Sequence, residues 1–233
     1  MIRYELKNNV ARITLDTPDT GNKFTYQLML DFIAALAAAG NSGAAVLVLQ
    51  ATGNDFSLGR DHGEKLEGIS RRDNLKLILK ANSLLRQFPG VSIALVQGRC
   101  LAFGTGLALQ SDISIGSDNA VLGFNEIRHG LAPLVVVTYL SDYVGPKVAK
   151  ELIYTGRDIA ADEAVRLGLL NRIVPAKDLA SEGERLVAEL TTFPPGALRL
   201  IHHFYEDLAD INEEDPALVG IERLVTWIEA GKP

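Results

Sequence analysis

The sequence contains a single cysteine, Cys100, among 233 residues. One cysteine excludes a disulfide within the chain and a metal site built from several thiolates, and it is typical of a reducing compartment. No apolar run reaches the roughly 18 residues that a membrane-spanning helix needs. The first segment, MIRYELKNNVARITL, lacks the apolar core of a signal peptide. These absences predict a cytoplasmic protein that has no membrane partner and no bound metal ion.

The sequence also has fewer basic than acidic residues. The 23 lysines and arginines face 29 aspartates and glutamates, which gives a formal net charge of -6. Binding to DNA or RNA needs a basic face that displaces phosphate counterions, so we expect no nucleic-acid partner. A small anionic ligand needs only a local positive cluster and is not excluded. The hydrophobic fraction of 47% is sufficient for a substantial globular core.

The hydrophobic pattern changes repeatedly between strand and helix periodicity. Segments typical of strands cover residues 2–6, 10–15, 44–51, 91–97, 112–116 and 120–124. Helical spacing covers residues 24–39, 73–88 and most of the chain after about residue 134, apart from an extended piece at 172–174. The pair Asn8-Asn9 between the first two strands predicts a β-hairpin. This alternation predicts an α/β core with parallel strands, followed by a helical C-terminal region.

Two glycine-containing loops follow the apolar strands 44–51 and 91–97. They are GNDFSLGRDHGEK, from Gly53 to Lys65, and GRCLAFGTG, from Gly98 to Gly106. Ligands of α/β sheets bind beyond the carboxyl ends of strands, and glycine lets backbone N–H groups approach a ligand closely. Two convergent N–H groups can stabilise an oxyanion, so these loops are candidates for an oxyanion hole. The alternative is that their glycines only form tight turns. A dinucleotide site is not expected, because the third glycine and the acidic partner are missing.

Four segments resemble, in order, the motifs of the enoyl-CoA hydratase/isomerase (crotonase) superfamily. They are GNDFSLGRD, VQGRCLAFGTGLALQSDISI, FNEIRHGLAP and TGRDIAADEAVRLGLLNRIVP, with Ala102 where the family has a glycine. The resemblance implies a crotonase-like ββα spiral core over residues 1–190 and a helical C-terminal trimerisation region over 191–233. It implies a homotrimer or a dimer of trimers. It also implies an acyl-CoA thioester substrate, with coenzyme A as part of that substrate and no separate cofactor.

The same resemblance assigns roles to individual residues. It implies that the backbone N–H groups of Leu58 and Phe103 form the oxyanion hole. The residues that it places near the substrate are Ser57, Gly59, Arg60, Asp61, His62, Gly104 and His129. Positive charge for the phosphates of coenzyme A is available at Arg60, Lys65, Arg71, Arg72 and Lys76. Interleaved acidic residues make a solvated helix face an alternative interpretation of this basic group.

The carboxylates decide which reaction the resemblance implies. Hydratases of the family use two glutamates to position a water, and the first of these positions is Gly106 here. The second is present as Glu126, whose apolar neighbours favour a raised pKa suited to proton transfer. One carboxylate beside an oxyanion hole can move a proton between two carbons, so isomerase-type proton transfer is our first expectation. An enoyl-CoA hydratase with a single glutamate and a catalytically silent CoA-binding protein are the alternatives.

Other polar residues have weaker functional expectations. His129 follows Glu126 by three residues and lies on the same side if the segment is a helical turn; a surface histidine is the alternative. Cys100 has no evident base and is not expected to be a nucleophile. Asp112 is expected to form structural hydrogen bonds.

Overall fold

The computed structural model describes residues 1–64, 66–212 and 215–232. Its strands are β1 (Ile2–Lys7), β2 (Val10–Leu15), β3 (Val46–Ala51), β4 (Val91–Val96), β5 (Arg99–Leu101), β6 (Ile113–Ser117), β7 (Val121–Gly123), β8 (Ile159–Ala160) and β9 (Arg172–Val174). Its α-helices are α1 (Tyr26–Gly40), α2 (Arg71–Arg86), α3 (Phe103–Gln110), α4 (Leu134–Val137), α5 (Leu140–Val144), α6 (Pro146–Thr155), α7 (Ala161–Leu167), α8 (Leu179–Leu190), α9 (Pro195–Asp207) and α10 (Pro216–Glu229). The predicted α/β core with a helical C-terminal region is confirmed.

The larger sheet has the strand order β1-β2-β3-β4-β6-β9. Only β1 and β2 are antiparallel, and all the following pairs are parallel. The two central strands β3 and β4 are almost fully buried, as their continuous apolar sequences predict. Because β3 and β4 are parallel neighbours, the loops that follow them leave the same edge of the sheet.

The first hairpin forms as predicted because its turn residues tolerate an unusual backbone. Asn8 and Asn9 have φ angles of 51° and 62°. Two consecutive positive φ values are the signature of a type I′ turn, whose twist matches that of the flanking strands. The turn pairs Lys7 with Val10 and sets the register of the whole hairpin.

The first helix begins two residues later than its apolar pattern predicts. Thr25 caps α1, and its side chain accepts a hydrogen bond from the Leu28 N–H. Phe24 instead forms a parallel bridge with Arg60, in which its N–H donates to the Gly59 carbonyl at 2.8 Å. The start of α1 is therefore attached directly to the first glycine-containing loop.

A small second sheet of order β5-β7-β8 supports the other loop. Neither β5 nor β8 was expected, because strands of three and two residues are too short for a periodic pattern. Strand β5 pairs in parallel with β7. Directly after β5, the Ala102 N–H donates to the Gly123 carbonyl at 2.7 Å. This sheet therefore determines where α3 begins.

The C-terminal helices continue the packing of the core. Leu179, Leu186 and Val187 of α8 and Leu198 of α9 are buried in one cluster with residues of β3, β4 and β6. Packing is continuous across residue 190, the boundary expected between core and trimerisation region. Lys65, Glu213, Glu214 and Pro233 lie outside the described residues. Among the described helices, none is long and apolar enough to cross a membrane.

Asn22 joins two loop segments beneath the edge of the sheet. Its side chain is fully buried, and Nδ2 donates to the carbonyls of Thr52 at 2.9 Å and Asp55 at 2.8 Å. Its Oδ1 accepts from the Thr17 N–H at 2.8 Å. These bonds attach the segment before α1 to the loop after β3.

We expect Asn22→Ala to lower the free energy of unfolding by about 2–4 kcal/mol, because it leaves buried backbone groups without partners. Urea denaturation measures this change. The matched control is Asn41→Ala, which removes one exposed hydrogen bond at the end of α1. An equal, small loss in both variants would contradict the joining role of Asn22.

Candidate active site

A cavity of about 360 Å³ opens where the two glycine-containing loops meet the segment that carries Glu126. It is lined by Lys23, Leu58, Arg60, Asp61, His62, Gly63, Ala102, Asn125, Glu126, His129 and Leu131. A second cavity of about 660 Å³ shares Lys23, Leu58 and Asp61 with it. Six residues that the sequence singled out therefore meet at one cavity. The sequence did not single out the other five lining residues, which are Lys23, Gly63, Ala102, Asn125 and Leu131. Of these, only Ala102 gave a visible signal, because it stands where the family motif has a glycine.

The two loops touch each other through Gly59. This residue has a φ of +84°, and a Cβ built on it would lie 2.8 Å from the Ala102 Cβ. The same position is 3.4 Å from the Phe103 nitrogen. Any side chain there would push the loops apart, and the positive φ would strain it further. Gly59 is therefore needed for the close approach, which brings the backbone of residues 59 and 60 beside the start of α3.

Ser57 and Gly104 lie behind this contact and stabilise it. Ser57 is fully buried; its Oγ donates to the Asn22 carbonyl at 2.8 Å and accepts from the Gly59 N–H at 3.1 Å. A Cβ on Gly104 would lie only 2.8 Å from the Ser57 carbonyl oxygen. Neither residue lines the cavity itself, so their contact with substrate stays a prediction, and their observed role is to pack the loops together.

The structure corrects the choice of Leu58 as a backbone donor. The Leu58 N–H donates to the Gly21 carbonyl at 2.9 Å, so it is already engaged. In the bridge between Phe24 and Arg60, the Phe24 N–H donates to the Gly59 carbonyl and the Asp61 N–H donates to the Phe24 carbonyl. Because the groups on either side of Arg60 face Phe24, the Arg60 N–H points to the opposite side. Within the described residues, the N–H groups of Arg60 and Phe103 donate to no protein acceptor.

Ala102 immediately precedes the Phe103 donor in a backbone conformation that glycine normally adopts. Its φ and ψ are 51° and -118°, and it stands before the first residue of α3. An L-residue in this region is strained because its Cβ crowds the backbone. The alanine noted as a departure from the family motif is therefore a point of local strain beside the cavity.

Glu126 stands on a short 3₁₀ turn, Asn125–His129, at the cavity wall. Its Oε2 is buried and has no hydrogen-bond partner within the described chain. Burial raises the pKa of the Glu126 carboxyl group above its usual range. A carboxylate with a raised pKa and a free oxygen is suited to accepting and returning a proton.

The Arg60 side chain has a structural task. It is buried, and its guanidinium donates to the Thr25 carbonyl at 3.2 Å and to the Asn74 side chain. It therefore ties the start of α1 to α2, although it also lines the cavity. Of the other basic candidates, Arg71 and Arg72 are exposed, Lys76 pairs with Asp73 at 3.7 Å, and Lys65 lies outside the described residues.

Two histidines complete the cavity wall. Burial lowers the pKa of His62, and the nearby charges of Arg60 and His129 lower it further, against the opposing effect of Asp61. These effects favour the neutral form of the His62 imidazole. His129 belongs to the same turn as Glu126 and is exposed at the cavity.

Two expectations outside the cavity are met. Cys100 is completely buried, and burial raises the pKa of its thiol, so it carries no reactive thiolate. Asp112 accepts hydrogen bonds from the Ser92 N–H at 2.7 Å and from the Ser92 hydroxyl at 2.6 Å. Cys100 therefore belongs to the core, and Asp112 joins β4 to the segment before β6.

We expect Ala102→Gly to raise the free energy of unfolding by about 1 kcal/mol, because relief of backbone strain exceeds the entropy that glycine adds to the unfolded chain. Urea denaturation again provides the measurement. The control Ala108→Gly, inside α3, should lower it by about 1 kcal/mol. A similar loss in both variants would show that Ala102 is unstrained.

Comparison with known proteins agrees with this geometry. A family model described as enoyl-CoA hydratase/isomerase matches residues 5–221. A Thermus thermophilus protein provisionally named an enoyl-CoA hydratase is 32% identical over 221 residues, 92% of this chain and 87% of its own.

Solved structures agree as well. An enoyl-CoA hydratase subunit I of Geobacillus kaustophilus superposes with a TM-score of 0.87 and 30% identity, over 98% of this chain and 90% of its own. An enoyl-CoA hydratase of Mycobacterium smegmatis shares the fold with a TM-score of 0.90 at 24% identity, over 97% and 90%. Because the family match covers nearly the whole sequence, the chain belongs to the enoyl-CoA hydratase/isomerase family.

Proposed function

We propose that this family member acts on acyl-CoA thioesters by moving a proton at the carbon next to the thioester carbonyl, with Glu126 as the acid and base. The first reaction that we assign is migration of a double bond from a 3-enoyl to a 2-enoyl thioester. The observation that carries the proposal is the buried, unpartnered Oε2 of Glu126 at the wall of a cavity that also approaches two free backbone donors.

In this proposal the oxyanion is held by the N–H groups of Arg60 and Phe103. Removal of the C2 proton puts negative charge on the thioester oxygen, and two N–H groups aimed at that oxygen stabilise it. The close approach at Gly59 brings these two segments together. Phe103 is the first residue of α3, and the N-terminus of a helix attracts negative charge, which further stabilises the oxyanion.

Glu126 then performs both proton transfers. Its carboxylate takes the C2 proton, the electron pair delocalises over the dienolate, and the same carboxyl group returns a proton at C4. The apolar surroundings that raise the pKa of Glu126 bring it closer to neutral pH, which favours reversible transfer. No second carboxylate is needed, which agrees with glycine at position 106.

Proton exchange tests this proposal directly. With a 3-enoyl-CoA in heavy water, we expect deuterium at C2 and C4 together with double-bond migration, and a loss of about 10²–10⁴-fold in Glu126→Gln. Mass spectrometry follows both events. The control Glu5→Gln changes an exposed glutamate of β1 and should leave the rate unaltered. Binding of acyl-CoA without any exchange would instead identify a silent CoA-binding protein.

The pH dependence gives a separate test. Because Glu126 must be ionised to accept the proton, kcat/KM should fall as the pH falls through its pKa. Burial raises that pKa, so the fall should lie at a higher pH than an exposed glutamate would give. The residual activity of Glu126→Gln should lack this acidic limb. A limb that persists unchanged in Glu126→Gln would assign the base to another residue.

A further inference from the structure

The space above Gly106, where the sequence lacks the first glutamate of the hydratases, is occupied by another polar group. A Cβ built on Gly106 would lie 2.8 Å from the hydroxyl oxygen of Tyr139 and 3.8 Å from Nε2 of Gln110. Apart from the neighbouring residues Thr105 and Leu107 and the backbone of α3, no other atom of the described residues comes within 4 Å. Tyr139 stands immediately before α5, and its hydroxyl therefore takes the place that a side chain at position 106 would fill.

This hydroxyl lies beside the first turn of α3. Gly106 follows Phe103 by three residues, so the residue that the hydroxyl approaches is one helical turn from a proposed oxyanion donor. Oε2 of Glu126 is buried and has no hydrogen-bond partner within the described chain. The Tyr139 ring packs edge-to-face on Tyr143 at 6.4 Å between centroids, which restrains its orientation.

Tyr139 carries no charge at neutral pH. Burial raises the pKa of its phenol, and the nearby negative charge of Glu126 raises it further. A neutral phenol can donate one hydrogen bond and accept another, but it takes no proton from a reactant. Its contribution is therefore to orient a neighbouring molecule, whereas proton transfer stays with Glu126.

We propose that Tyr139 is a further catalytic residue, whose hydroxyl and Glu126 together hold a water molecule for addition to C3 of a 2-enoyl thioester. The water donates one hydrogen to Oε2 of Glu126 and the other to the phenolic oxygen, which directs its lone pair at C3. This arrangement restores the second contact to the water that glycine at position 106 removes.

The step balances within the site. As the water oxygen bonds to C3, its proton passes to Glu126 and the C2–C3 π electrons move into the thioester enolate. Glu126 then returns a proton to C2, and the product is a 3-hydroxyacyl thioester. The inference rests on the proposed function, since both use Glu126 and the same enolate. The 2-enoyl product of isomerisation is the substrate of this second reaction.

The experiment follows two readouts in the full-length protein. Deuterium exchange during 3-enoyl isomerisation depends on Glu126 and the oxyanion hole. Water addition to a 2-enoyl-CoA depends on these groups and on Tyr139. Tyr139→Phe should lower the ratio of water addition to deuterium exchange about 100-fold, the loss expected from misplacing a reactant by about 1 Å. The control Tyr154→Phe changes a tyrosine that is 77% exposed and should alter neither rate.

Gly106→Ala supplies a second, independent perturbation. The new methyl group would displace the Tyr139 hydroxyl, so it should cause a similar loss of water addition. In the Tyr139→Phe background the same change should add no further loss, because the hydroxyl is already gone. Unfolding midpoints of all four proteins confirm that they are folded.

The outcomes separate the two proposals. Isomerisation without water addition in the wild type, or water addition that is unaffected by Tyr139→Phe, would overturn the role of Tyr139 and leave the proposed function intact. Water addition that depends on Tyr139, without isomerisation, would support the role of Tyr139 and overturn the first assigned reaction. Absence of both activities would overturn both.

Discussion

The close contact between the loop after β3 and the start of α3 is the constraint on which the site depends. Gly59 permits it, because even one methyl group there would meet Ala102 at 2.8 Å. Ser57 and Asn22 hold the contact from beneath with buried hydrogen bonds. The site therefore draws its precision from backbone packing, which places two N–H groups without the use of any reactive side chain.

In the proposed mechanism, the chemistry divides between this rigid backbone and a few side chains. Glu126 has a buried, unpartnered oxygen on a short turn, and the Tyr139 hydroxyl occupies the space opposite Gly106. Unsatisfied polar groups of this kind are costly in a protein interior and are rare outside functional sites. Ala102 adds local strain beside them. These groups at the cavity lower the stability of the fold, whereas the continuous packing of the sheet with α8 and α9 raises it.

Much of this organisation was predictable from the sequence. The apolar segments gave β3 and β4, the motifs gave the family, and Glu126 followed from its motif position. The engaged Leu58 N–H was not predictable, because a parallel bridge between Phe24 and Arg60 decides which amides face the cavity. Tyr139 was missed as well, since it is separated from Gly106 by 33 positions. Contacts between residues so far apart leave no periodic or local signal.

The most direct test is a crystal structure of the protein with a bound acyl-CoA. We expect the thioester carbonyl oxygen to lie within about 2.7–3.1 Å of the backbone nitrogens of both Arg60 and Phe103. We also expect C2 of the acyl chain to lie beside the carboxyl group of Glu126. A carbonyl oxygen bound to the Leu58 nitrogen, or a thioester held away from both loops, would show that the proposed oxyanion hole is wrong.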